Sequence, residues 1–183
     1  MESIIERFQN LQFSLRTRFV IIIIFFILAL LATAIGTLAF RIEQSEAQRI
    51  RTELEQDFEK FNDPRFIFGN NFLFTLLMFI PIIGPIWGSF ILFNTGIVLA
   101  VLGIAEGIPP ILLYFLLFFT PILWLEFCAY SIAMAQSTIW FLQMLRQRSK
   151  KEAVRTCILI TICALILSFS ALIEWIMINM SLG

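Results

Sequence analysis

The chain has 183 residues, 60% hydrophobic and only 14% charged, with a mean hydropathy of +0.91 and a formal net charge of zero. About a quarter of a soluble domain is charged, so this composition excludes a soluble globular protein, and the balanced charge offers no basic field for nucleic acid. Histidine is absent, and Cys128, Cys157 and Cys163 all lie in apolar sequence without a CxxC pair; no metal site, cofactor or disulfide framework is expected, and the thiols read as core residues.

Residues 1–18 mix Glu2, Glu6, Arg7, Arg16 and Arg18 with Ile4, Ile5, Phe8, Leu11 and Leu15. The apolar positions recur at helical spacing, which predicts an amphipathic segment on the membrane surface. Its arginines place it on the cytoplasmic side. Residues 19–40 carry no charge and are long enough for a first span. They exceed the core of a signal peptide, so this span is expected to be retained.

Residues 41–65 form the main polar stretch. Ile50, Leu54, Phe58 and Phe61 recur every three to four positions, with Arg49–Glu53 and Arg51–Glu55 as opposite-sign pairs one turn apart. This predicts an extracytoplasmic amphipathic helix whose apolar stripe covers the membrane surface or a partner protein. Asn62-Asp-Pro64 is its stop signal.

Residues 66–105 are again uncharged, and Pro81-Ile-Ile-Gly-Pro85 interrupts them. A hairpin of 66–80 and 86–105 is one solution; a single interrupted span is the other. After Glu106-Gly-Ile-Pro109-Pro110 comes the run 111–145, which Pro121 kinks or divides into a short piece and a full helix. Arg146, Arg148, Lys150, Lys151 and Arg155 form the densest positive patch, and 154–180 is the last span. With the N-terminus and this patch both inside, an odd number of crossings separates them. The expectation is an all-α, polytopic bundle of about five transmembrane helices in one domain spanning 1–183. The C-terminus is then extracytoplasmic, and the multi-pass chain lies in the cell membrane.

The polar residues inside the apolar field are the candidate site. Glu126 lies far from any charged flank, and a carboxyl group at membrane depth needs a partner. Asn70, Asn71, Asn94 and Thr95 are the groups available to hydrogen-bond it. Gly84 and Gly88, and Ala129, Ala133 and Ser137, stand four apart, and Gly96 follows the Asn94-Thr95 pair; small residues so placed let helices approach closely. Glu106 is expected near a membrane interface, and Glu174 with Trp175 reads as an interfacial anchor pair. No HExxH, paired-Asp, GxS or Walker sequence occurs, and the one exposed helix is too small for a catalytic domain, so an enzyme is not expected.

The segment 66–137 resembles the stage II sporulation protein M family of integral membrane proteins. The likeness is carried by Phe66-Ile-Phe-Gly-Asn70-Asn71, Ile80-Pro81, Gly84 through Gly88, Phe93-Asn94-Thr95-Gly96, Pro121, Leu125-Glu126-Phe127, Ala129 and Ala133. The family pattern has a histidine-glycine pair shortly before the glutamate; here Phe119-Thr-Pro121-Ile-Leu-Trp-Leu-Glu126 has none, so no role of that histidine carries over. The resemblance implies a five-span protein that anchors a membrane-associated complex. The expected function is therefore a non-catalytic scaffold or accessory subunit, associating with lipids and with other integral membrane proteins as a hetero-oligomer. The alternative is a permease or channel subunit using Glu126.

Overall fold

The computed structural model describes residues 14–60, 63–145 and 149–181, and every regular element among them is helical. The helices are α1 (Leu15–Ala39), α2 (Gln44–Lys60), α3 (Pro64–Met78), α4 (Ile83–Glu106), α5 (Pro110–Leu116), α6 (Pro121–Leu145) and α7 (Ser149–Ser181), with a 3₁₀ turn at Leu117–Phe119. Four of them, α1, α4, α6 and most of α7, are long and apolar enough to cross a membrane. The chain is a polytopic membrane helix bundle.

The boundaries follow from local chemistry. Ser14 caps α1, accepting a hydrogen bond from the Thr17 backbone N–H at 3.2 Å. Residues 15–18 are thus the first turn of the first span, not part of a surface segment; residues 1–13 lie outside the described residues. Asp63 caps α3 by accepting from Arg65 N at 2.7 Å, and Pro64 occupies its first turn, where a missing N–H costs nothing. The stop signal that ends the polar stretch is therefore also the start signal of the next helix. Gly107, at φ 71°, ends α4 in a left-handed cap.

Cross-helix contacts give the course of the chain. Arg18 meets Gln136 while Phe26 stacks on Trp124, so α1 and α6 are antiparallel. Asn71 meets Glu126 and Ile80 meets Ser137, so α3 runs parallel to α6. A side chain built on Gly84 meets Ser137, and one on Gly88 meets Met134, so α4 opposes α6. Cys163 opposite Ala129 and Thr156 opposite Gln136 make α7 antiparallel to α6 as well. The polypeptide zigzags five times between an Arg18 end and a Glu106 end, with α3 as the short fifth pass. Its 15 residues reach only about 22 Å, against a hydrocarbon core of about 30 Å.

Both proline breaks form, each by its own route. The α3–α4 turn closes through Ile82 at φ 72°, ψ −50°, a strained conformation for a β-branched residue. Gly84, at the start of α4, is not used for its backbone freedom. It is buried where a Cβ would collide with the Met78 carbonyl and the Ser137 hydroxyl. At Pro121 the long run divides into α5, the 3₁₀ turn and the full helix α6. Tyr114 pins α5 to the bundle by donating its hydroxyl to Leu30 O at 3.0 Å.

One core lies between α1, α3, α4, α6 and α7, around Ala29, Met78, Leu92, Phe127, Met134 and Leu167. Cys163 belongs to it, whereas Cys128 and Cys157 are exposed on the outer face of the bundle, which corrects their reading as core thiols. A second small core at the Glu106 end joins Ala47 of α2 to Val101 and Ala105 of α4, with Phe40, Ile42 and Ile50 packed around them.

Candidate functional site: two buried polar clusters

The intramembrane carboxylate finds one of its expected partners. Asn71 Nδ2, on α3, donates to Glu126 Oε1, on α6, at 2.6 Å. Asn71 also anchors its own helix, because its backbone carbonyl accepts from Thr75 Oγ1 at 2.8 Å. Glu174 on α7 is half-buried, beside the exposed Trp175. The other three amide and hydroxyl candidates do not converge. Asn70 is exposed. Asn94 Nδ2 donates to Phe90 O at 2.7 Å, and Thr95 Oγ1 to Ile91 O at 3.1 Å, both within α4.

Glutamine at 126 retains an oxygen that accepts from Asn71, so Glu126→Gln is expected to fold with wild-type stability. Glu126→Leu removes the acceptor and costs about 1 kcal/mol. Denaturant unfolding in detergent micelles checks this ordering, and an equal loss in both variants contradicts it.

The small residues act where helices touch. Gly84 and Gly88 lie against α6, and Gly96 lies against the α1 backbone at Thr33 and Thr37. Ala129 and Ala133 are fully buried, the Ala129 carbonyl accepts from Cys163 Sγ at 3.6 Å, and Ser137 Oγ donates to Ile80 O at 2.6 Å. The last bond gives a second donor to a carbonyl at the α3–α4 break, which also accepts from Gly84 N at 2.8 Å.

The stripe expected to meet a partner is divided. Ile50 is packed against the chain's own α4, because the C-terminal turns of α4 offer Val101 and Ala105 as an apolar seat beyond the end of α1. This corrects its assignment to an external partner. Leu54 is half-buried. The Phe58 side chain and all of Phe61 lie outside the described residues. Arg51 Nη1 reaches Glu106 Oε1 at 3.5 Å, adding a half-exposed ion pair to the seat.

The second polar cluster escapes a reading by runs of charge. Arg18, at the start of α1, forms a bidentate pair with Glu152 of α7: Nη2 donates to Oε1 at 2.5 Å and Nη1 to Oε2 at 3.1 Å. Gln136 of α6 sits between them. Its Oε1 accepts from Arg18 Nη1 at 3.3 Å, and its Nε2 donates to Glu152 Oε2 at 3.2 Å and to Thr156 Oγ1 at 3.0 Å. Arg155 adds a contact to Glu152 Oε1 at 2.9 Å. The side chains of Arg18 and Glu152 are only 13% and 5% exposed. Two sequence signals could have found it: Glu152 is the one acid within the basic patch, and Gln136 is an amide deep in an apolar run.

Comparison with protein-family models, curated proteins and solved structures finds no match to this chain.

Proposed function

We propose that the protein is a membrane scaffold or accessory subunit, performing no chemistry itself and holding partner proteins at the Glu106 end. The observation that carries this reading is the mounting of α2. This 17-residue helix is polar and, at that length, only marginally stable alone in water. Ala47 and Ile50 fix it to α4, and the Arg51–Glu106 pair adds to the seat. Glu46, Arg49, Glu53 and Gln56 remain exposed along it. A charged helix held rigidly at one end of a bundle is a preorganised docking surface. We further propose that a likeness to the stage II sporulation protein M family goes with this role, with other integral membrane proteins as partners.

The test starts with extraction from the native membrane in mild detergent. Wild type is expected to yield a heteromeric particle of reproducible composition. The double charge reversal Glu46→Lys, Glu53→Lys is expected to release the partners while leaving the thermal unfolding of the chain unchanged. Undiminished recovery of partners with the variant would remove α2 from the interface, and a particle holding this chain alone would end the scaffold reading.

A second reading, passage of a proton or small cation, draws on the Asn71–Glu126 pair. It predicts a flux in reconstituted vesicles that Glu126→Gln abolishes.

A further inference from the structure

Asn94 stands at the middle of α4, about 17 Å along the helix from either end. It is half-exposed, and it lies on the row Ile83, Ile86, Phe90, Asn94, Val98, spaced by three and four residues. That row faces away from the core: Ile83 is 51% exposed, Ile86 70%, Phe90 55% and Val98 36%. Nothing among the described residues covers it. An apolar face of this kind is ordinary in lipid, but an amide in its centre is not.

The hydrogen-bonding capacity of Asn94 is only half used. One N–H goes to Phe90 O. The second N–H and both lone pairs of Oδ1 have no partner among the described residues, and lipid chains can neither accept nor donate. The other polar groups on the lipid-facing surface differ in kind or in depth. Ser89, Thr95 and Thr161 are exposed, but each hydroxyl donates its single proton to the carbonyl one turn back. Asn70 and Asn179 are exposed amides too, but Asn179 lies two residues from the end of α7, and Asn70 lies on the short helix α3 beside Asn71, whose side chain is tied to Glu126. Asn94 alone among the described residues is a part-exposed amide at the middle of a helix long enough to span.

We propose that the Ile83–Val98 face of α4 is the seam of a homodimer, in which Asn94 of one chain pairs with Asn94 of a second copy. The occupant follows from what the amide has left. One N–H and one carbonyl oxygen are matched by an identical set, each donating to the other. Two copies inserted in the same orientation are related by a two-fold axis along the membrane normal, so the partner amide arrives at the same depth. A single buried asparagine is also a device that fixes register between paired helices. Lipid chains offer no such partner, and a helix of another protein would need a polar group placed at this depth.

The seam does not depend on the scaffold reading. The full-length chain with Cys128 and Cys157 changed to alanine and Phe90→Cys added is oxidised in native membranes. A disulfide-linked species of twice the chain mass is expected, and none from Leu165→Cys on the exposed face of α7. Asn94→Leu added to Phe90→Cys is expected to lower the cross-linked fraction about tenfold, and Asn94→Gln to preserve most of it. Thermal unfolding of monomeric Asn94→Leu is expected to match that of the wild-type monomer, because the one hydrogen bond of the side chain is to its own helix. Three results overturn the seam: no dimer above the α7 control, a cross-link to a protein of different mass, or no effect of Asn94→Leu. A particle with two copies and nothing else keeps the seam and ends the scaffold reading; one copy with partners does the reverse.

Discussion

Arg18→Leu is expected to lower the unfolding free energy by about 3 kcal/mol. Removing one partner of a buried ion pair costs about 3–5 kcal/mol, because the charge left behind has neither water nor its counterion. Glu152, buried on α7, would keep Arg155 and Gln136 but lose both bonds to the guanidinium. The low end of the range applies because Arg155 remains and the cluster lies near a helix end within reach of water. The same logic predicts recovery. Replacing Arg18 and Glu152 together by leucine removes the stranded charge, and the double variant should unfold within about 1 kcal/mol of wild type. Denaturant titration in micelles, followed by circular dichroism, reads all three proteins. Equal stability of Arg18→Leu and wild type would mean that the pair is solvated and contributes nothing. A double variant no more stable than Arg18→Leu would mean that packing rather than charge is lost.

This cluster also shows which parts of the molecule the sequence makes legible. Spans are governed by transfer of apolar residues from water, a property each segment has alone. Residues 19–40, 66–105 and 154–180 therefore announce themselves by composition, and the breaks at Pro81–Pro85 and Pro121 by the chemistry of proline. Pairing between segments has no such signature. Glu126 was identifiable as needing a donor, yet four candidates were equivalent until the parallel course of α3 and α6 set Asn71 opposite it. Arg18 read as a flanking positive charge, because nothing local shows that an acid 134 positions later folds against it. The amphipathic stripe of α2 was visible, but its cover was not. That depends on α4 carrying Val101 and Ala105 past the end of α1. Ile82, a β-branched residue at positive φ with a glycine two positions away, inverts the local rule, since Gly84 is needed where its missing side chain lets two helices meet.

The contact between α1 and α4 is the most extensive helix pairing in the bundle, and it predicts the second large effect. Gly36 and Gly96 lie back to back at the crossing. A Cβ on Gly96 would overlap the Thr33 carbonyl oxygen and approach Thr37 N at 2.7 Å; one on Gly36 would overlap the Phe93 carbonyl oxygen. These obstacles are backbone atoms, which cannot rotate away as a side-chain tip can. The flanking Thr33 and Thr37 are fully buried, with their hydroxyls bonded to Ala29 O at 3.0 Å and Thr33 O at 2.9 Å, so α1 keeps this face smooth as well as narrow. Gly96→Ala must therefore separate the helices, and a cost of about 3 kcal/mol is expected from overpacking, along with a loss of interface dispersion on both sides. Gly69→Ala makes the opposite prediction with the same change of one methyl group. Nothing lies within 4 Å of a Cβ there, and alanine in an exposed helix interior is favoured over glycine, so stability should rise by about 0.5–1 kcal/mol. Gly36→Ala and Gly96→Ala should also fall short of additivity when combined, because one separation of α1 from α4 relieves both overlaps. Unfolding in micelles gives all four values. If Gly96→Ala were as stable as Gly69→Ala, the two helices would not approach as closely as the structure shows, and the small residues on α1 would have to be explained some other way.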